Sequence, residues 1–135
     1  MHFSTSILIF TSTVAGLGIN CRGSGFCDLT FGSSIGDIQD QIGILVADGQ
    51  GDRHFDTGAQ IACTQGNQGS ICAFYQSGAS GSARDAFGHI QQIIDHGCSL
   101  CGSVPTQEGN NVDDGQLTVN YSQKAFRGPH ISTLN

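Results

Sequence analysis

The chain has 135 residues, with 11 Asp and Glu against 5 Lys and Arg, a net charge of −6. That balance excludes nucleic acid, whose binding needs a cationic footprint, and argues against an anionic membrane surface. Six cysteines, an even number in a small chain behind an apolar leader, read as a disulfide framework in a secreted protein.

Residues 1–16 read as a signal peptide. Met1 to Ala15 carry no charged side chain, Ile7-Leu8-Ile9-Phe10 forms a short apolar run, and Val14-Ala15-Gly16 offers small residues for cleavage. The run is far short of the roughly 20 apolar residues that span a bilayer, and no other stretch reaches that length, so no membrane insertion is expected. What remains suits one domain with a real core. The expected division is a signal peptide at 1–16, a domain at 17–122 and a flexible tail at 123–135.

Leu17 to Cys21 is short and apolar and reads as a first strand, followed by a turn at Arg22 to Gly25. Ile35, Ile38, Ile42 and Leu45 are spaced as one helical face, with Ser34 as the cap. Asp48 to Gly58 has no period and reads as a loop. Gln60 to Gln65 and Ser70 to Ser77 read as strands joined by the turn Gly66-Asn67-Gln68-Gly69, a hairpin. Gly78 to Gly81 reads as a linker. The strongest helix runs from Ala83 to His96, with an apolar stripe of Ala83, Ala86, Phe87, Ile90, Ile93 and Ile94, a cap at Ser82 and a stop at Gly97. Val104 to Gly115 reads as a polar loop. Gln116 to Ser122 alternates as a half-buried strand, with Leu117, Val119 and Tyr121 on one face. Two or three helices covering one face of an antiparallel sheet, a two-layer α+β sandwich, fits this order.

Residues with possible chemistry divide the same way. His96, Cys98 and Cys101, completed by Cys21 or Cys27, have zinc-ligand spacing, but an oxidising compartment favours disulfides. Cys98-Ser99-Leu100-Cys101 as a redox site lacks the βαβ context that motif requires. Histidines stand at 2, 54, 89, 96 and 130, none placed by a motif beside a serine, and Gly-x-Ser-x-Gly is absent. Asp113-Asp114-Gly115 reads as a turn and His89 as a solvated helix residue. Asn120-Tyr121-Ser122 is a glycosylation sequon on a strand. No catalytic residue, cofactor or metal is expected, and the chain is not read as an enzyme.

Several segments resemble one family. They are Leu17-Gly18-Ile19-Asn20-Cys21-Arg22-Gly23-Ser24 with Cys27, then His96-Gly97-Cys98 and Cys101-Gly102-Ser103 with Pro105. Gly109-Asn110, Val112 and the run Gly115 to Tyr121 follow. Together they resemble the small fungal killer toxins typified by killer protein four, over Leu17 to Tyr121. The resemblance implies an α/β sandwich, and a secreted protein that arrests competing fungal cells by blocking voltage-gated calcium channels in the target-cell membrane; a monomer is expected. It also implies bridges from the early cysteine pair to the Cys-x-x-Cys pair, Cys21 to Cys98 and Cys27 to Cys101. Cys63 and Cys72 face each other across the expected hairpin.

The chain departs from the toxin that it resembles in carrying fewer cysteines and an acidic balance. Ile61 stands where an activity-linked lysine lies in the family, and Lys124 is the only lysine. A cation channel attracts a cationic plug through acidic side chains or carbonyls. Channel blocking here therefore depends on arginines, with Arg53 in its irregular loop and Arg22 as the candidate target contacts. The alternatives are that Arg53 pairs with Asp52 or Asp56, and that the protein is a binding module of the same fold with another target.

Overall fold

A computed structural model describes residues 17–30, 32–66 and 68–123. The expected leader lies outside these residues, as does the tail beyond residue 123. Two helices lie on one face of a four-stranded antiparallel sheet. The helices are α1 (Ile35–Leu45) and α2 (Ala83–Asp95). The sheet contains β2 (Gln60–Gln65), β3 (Ser70–Gln76), β5 (Gly102–Pro105) and β6 (Gln116–Ser122), in the order β2-β3-β6-β5. A separate two-stranded ribbon joins β1 (His54–Phe55) to β4 (Gly81–Ser82).

Both helices start where a serine can cap them. The hydroxyl of Ser34 accepts the amide of Asp37 at 3.1 Å, and that of Ser82 accepts the amide of Asp85 at 3.0 Å. Each satisfies a donor that the first helical turn leaves open, worth about 1 kcal/mol. The buried faces are Ile35, Ile38, Ile42 and Leu45 on α1, and Ala83, Ala86, Ile90 and Ile93 on α2. They meet Ile71, Ala73 and Tyr75 of β3 and Leu117 and Val119 of β6, which register puts on the same side of the sheet. Each large apolar side chain so buried contributes about 1.5–3 kcal/mol.

Phe87 departs from the expected stripe. It is 38% exposed, while Ile90 and Ile93 are fully buried. The core side of α2 is narrower than its apolar composition, because a helix resting on a sheet buries only an arc of its circumference.

Five segments take a form that the sequence reading did not give them. Leu17 to Cys21 forms no strand. Only Asn20 bridges, exchanging both backbone hydrogen bonds with Ser103 at 3.0 and 2.9 Å. The flanking residues are engaged elsewhere, the carbonyl of Leu17 accepting the amide of Val112 at 2.8 Å and Cys21 being bonded to Cys98. Gly25–Leu29 winds into a 3₁₀ turn, its first amides capped by Ser24. In the Asp48 to Gly58 stretch, a widened turn at Val46–Gln50 prolongs α1 before β1 begins. Gly49 there has φ 86°, the left-handed region that glycine enters without steric cost. The expected Gly78 to Gly81 linker supplies β4, and the expected polar loop begins as β5.

Candidate functional site

The segment from Cys21 to Leu29 has little regular structure and is held from three sides. Cys21 bonds Cys98, with the α carbons 5.2 Å apart, and Cys27 bonds Cys101, at 6.4 Å. The third hold is Asn120, whose side-chain carbonyl accepts the amide of Ser24 at 2.9 Å. Between this segment and residues 97–101 lies an open groove of about 500 Å³, lined by both bridges and by Arg22, Ser24, Asp28 and Ser99 among others. Arg22 is exposed there, and its guanidinium has no ion-pair or ring partner among the described residues.

The other arginines sit at the opposite end of α2. Arg53 accepts the amide of Ala83 on its backbone carbonyl at 3.0 Å, and Gly51 accepts that of Arg84 at 2.8 Å, so both residues belong to the start of the helix. Cys98 follows its far end. At 1.5 Å per residue, 13 helical residues separate the two groups by about 20 Å. Arg22, Arg53 and Arg84 therefore form no single cationic patch.

Arg53 is not presented as a bare charge. Its guanidinium lies 5.0 Å over the ring of Phe55, with Gln50 near one nitrogen. Neither carboxylate expected to pair with it does so among the described residues. Asp52 reaches Arg84 at 3.4 Å, and Asp56 reaches His54 at 3.4 Å. Both pairs are well exposed and contribute little to stability. Ile61 is fully buried beside the register shift between Gln60 and Ala62, so this side chain faces the core and offers no contact to a target.

The remaining candidates are structural in their surroundings. Cys63 and Cys72 are register partners in the β2–β3 hairpin, bonded with α carbons 4.0 Å apart. With Cys21, Cys27, Cys98 and Cys101 also in bridges, the zinc alternative at His96 has no free thiolate among the described residues. Asp113 and Asp114 lie in a 3₁₀ turn, and His89, expected to be solvated, is half-buried with its ring edge-on to Tyr75 at 6.5 Å between centroids and near Gln92. Asn120 lies on β6, an interior strand, and its oxygen is already engaged by Ser24. Tyr75 was not singled out by any sequence pattern. Its hydroxyl donates to the carbonyl of Ser82 at 2.8 Å, fixing the turn before α2. Burial, then the charge of Asp85, pushes its pKa well above the usual phenol range, so it stays a neutral donor.

Fold and bridges together define a small α+β protein, cross-linked three times, with short exposed segments at both ends of its second helix. Comparison with known proteins gives that class a family. The Kp4 family model matches residues 5–123. A relative, the KP4 killer toxin of Ustilago maydis P4 virus, is 41% identical over 109 residues, which is 80% of this chain and 82% of the relative. The chain belongs to the Kp4 family.

Proposed function

We propose that the protein is a secreted, non-enzymatic killer toxin, released after removal of residues 1–16, that arrests competing fungal or host cells by reducing calcium uptake through a voltage-gated channel. The observation that carries this reading is the 41% identity to a killer toxin, extending over most of both chains. Three disulfides fit an oxidising, extracellular destination. The family points to a toxin acting by contact rather than turnover.

Arg22 is the first candidate for that contact. It projects from a covalently pinned segment and has no competing partner among the described residues. Arg53 is the second. A specific observation also favours a different target: all eleven carboxylates lie among the described residues, beside only three arginines, which suits a pore lined by acidic groups poorly.

The test is growth and calcium uptake of sensitive cells treated with wild type, Arg22→Ala and Arg53→Ala, with and without excess external calcium. Arrest that calcium relieves, and that Arg22→Ala weakens, is the expected result. Arrest with unchanged calcium uptake moves the protein to the reading of a binding module with another target.

A further inference from the structure

The outer seam between α1 and α2 has an apolar floor that the core does not use. A groove of about 210 Å³ runs there, lined by Gly43, Val46, Ala47, Arg84 and Phe87. Gly43 makes it possible: a β carbon at that position would stand 3.2 Å from the Phe87 ring. A glycine inside a helix costs about 1 kcal/mol relative to alanine. Here it lowers the seam and lets the exposed ring lie across α1. Ile44, next along α1, is 50% exposed. Two large apolar side chains thus remain in water on one layer of a small protein.

Charge selects the occupant. Asp40 lies one helical turn before Ile44, Asp48 follows Ala47, and Asp95 is bonded to Gln91, which meets Gln39 across the seam. Arg84, the one cation lining the groove, is matched by Asp52 at 3.4 Å. Exposed carboxylates thus stand on both helices along the seam, beyond an apolar floor whose one cation is already paired. A second copy would set carboxylates against carboxylates, and an anionic lipid surface would be repelled.

We propose that this seam docks a cationic amphipathic helix of a partner protein, its apolar side chains entering beside Phe87 and its Lys or Arg residues meeting Asp40, Asp48 and Asp95. Helix-in-groove recognition has this form, apolar anchors giving affinity and rim charges giving orientation and rate. The site is distinct from the Arg22 groove and does not depend on whether calcium uptake is what the protein changes.

The test is an amide chemical-shift titration of the oxidised chain with an amphipathic Lys/Leu peptide of about 18 residues, and with its Glu/Leu counterpart. Saturable shifts at Gly43, Ala47 and Phe87 with the Lys/Leu peptide alone are expected, weakening as salt is raised. Phe87→Ala should lower the affinity about tenfold or more. Asp40→Asn with Asp48→Asn changes only exposed positions and should lower it a few-fold, about threefold, while leaving the melting temperature in place. Absence of binding, shifts centred elsewhere, or equal binding of both peptides overturns the proposal. So does self-association through the same residues, or preferential binding of phosphatidylcholine or phosphatidylserine vesicles.

Discussion

The two ends of α2 are fastened by different means. At its far end, residues 17–30 contribute one bridge residue, Asn20, and a short 3₁₀ turn, and are held by Cys21–Cys98 and Cys27–Cys101. At its start, Gly51, Arg53 and Ser82 are held without a cross-link, chiefly by hydrogen bonds. The carbonyls of Gly51 and Arg53 accept the first helical amides, Tyr75 donates to Ser82, and Thr57 donates to Ala79. A segment that adds little to the core cannot offset its own ordering entropy through burial, and a cross-link lowers that cost by restricting the unfolded chain. A segment that fills open positions in a helix and a ribbon is retained without one. The contrast also separates the arginines: Arg22 rides on the covalent end and Arg53 on the hydrogen-bonded end.

Removing both long bridges, by changing Cys21, Cys27, Cys98 and Cys101 to alanine, should have the largest effect. The chain-entropy model gives about 4.5 kcal/mol for the first closure and about 2.7 for the small loop that the second adds. A loss near 7 kcal/mol matches the whole stability of many small domains, so the quadruple variant is expected to be unfolded by circular dichroism at 25 °C. A variant that still melts cooperatively would break the comparison.

Replacing Cys63 and Cys72 with alanine comes next, at about 2.7 kcal/mol by chemical denaturation. This bridge ties strands already paired along the whole hairpin, so the variant should remain folded.

Ser82→Ala probes the hydrogen-bonded end. Loss of the cap should cost about 1 kcal/mol, visible as a lower denaturation midpoint with an unchanged slope. A cost as large as that of opening the long bridges would show the two ends to be fastened equally well.

Arg53→Ala should have the smallest effect on stability, about 0.5–1 kcal/mol from the lost stacking on Phe55. Its effect on killing can therefore be read without correction for unfolding.

Much of this fold was legible in the chain. The spacing of Ile35, Ile38, Ile42 and Leu45 marked α1, and Ser34 and Ser82 marked where both helices begin, because helical period and capping chemistry are local. The alternation of Leu117, Val119 and Tyr121 marked β6, and the glycines after Gln65 marked the hairpin turn. β5 and the β1–β4 ribbon escaped notice. Strands of two to four residues carry too little alternation to register, and they exist only because a distant partner supplies the ladder. Residues 17–21 show the converse, apolar but forming no strand ladder beyond the Asn20 bridge.

For the candidate sites, the sequence alone determined that cysteines, a family pattern and three arginines stood in the described part of the chain. Only the tertiary structure decided that Arg22 and Arg53 lie at opposite ends of α2, and that Asp52 and Asp56 have partners other than Arg53. It also decided that Phe87 faces outward across Gly43. Periodicity records which residues a segment would prefer to bury. Where the neighbouring layer stops determines which of them it does bury, and that boundary is set by packing between elements far apart in the chain.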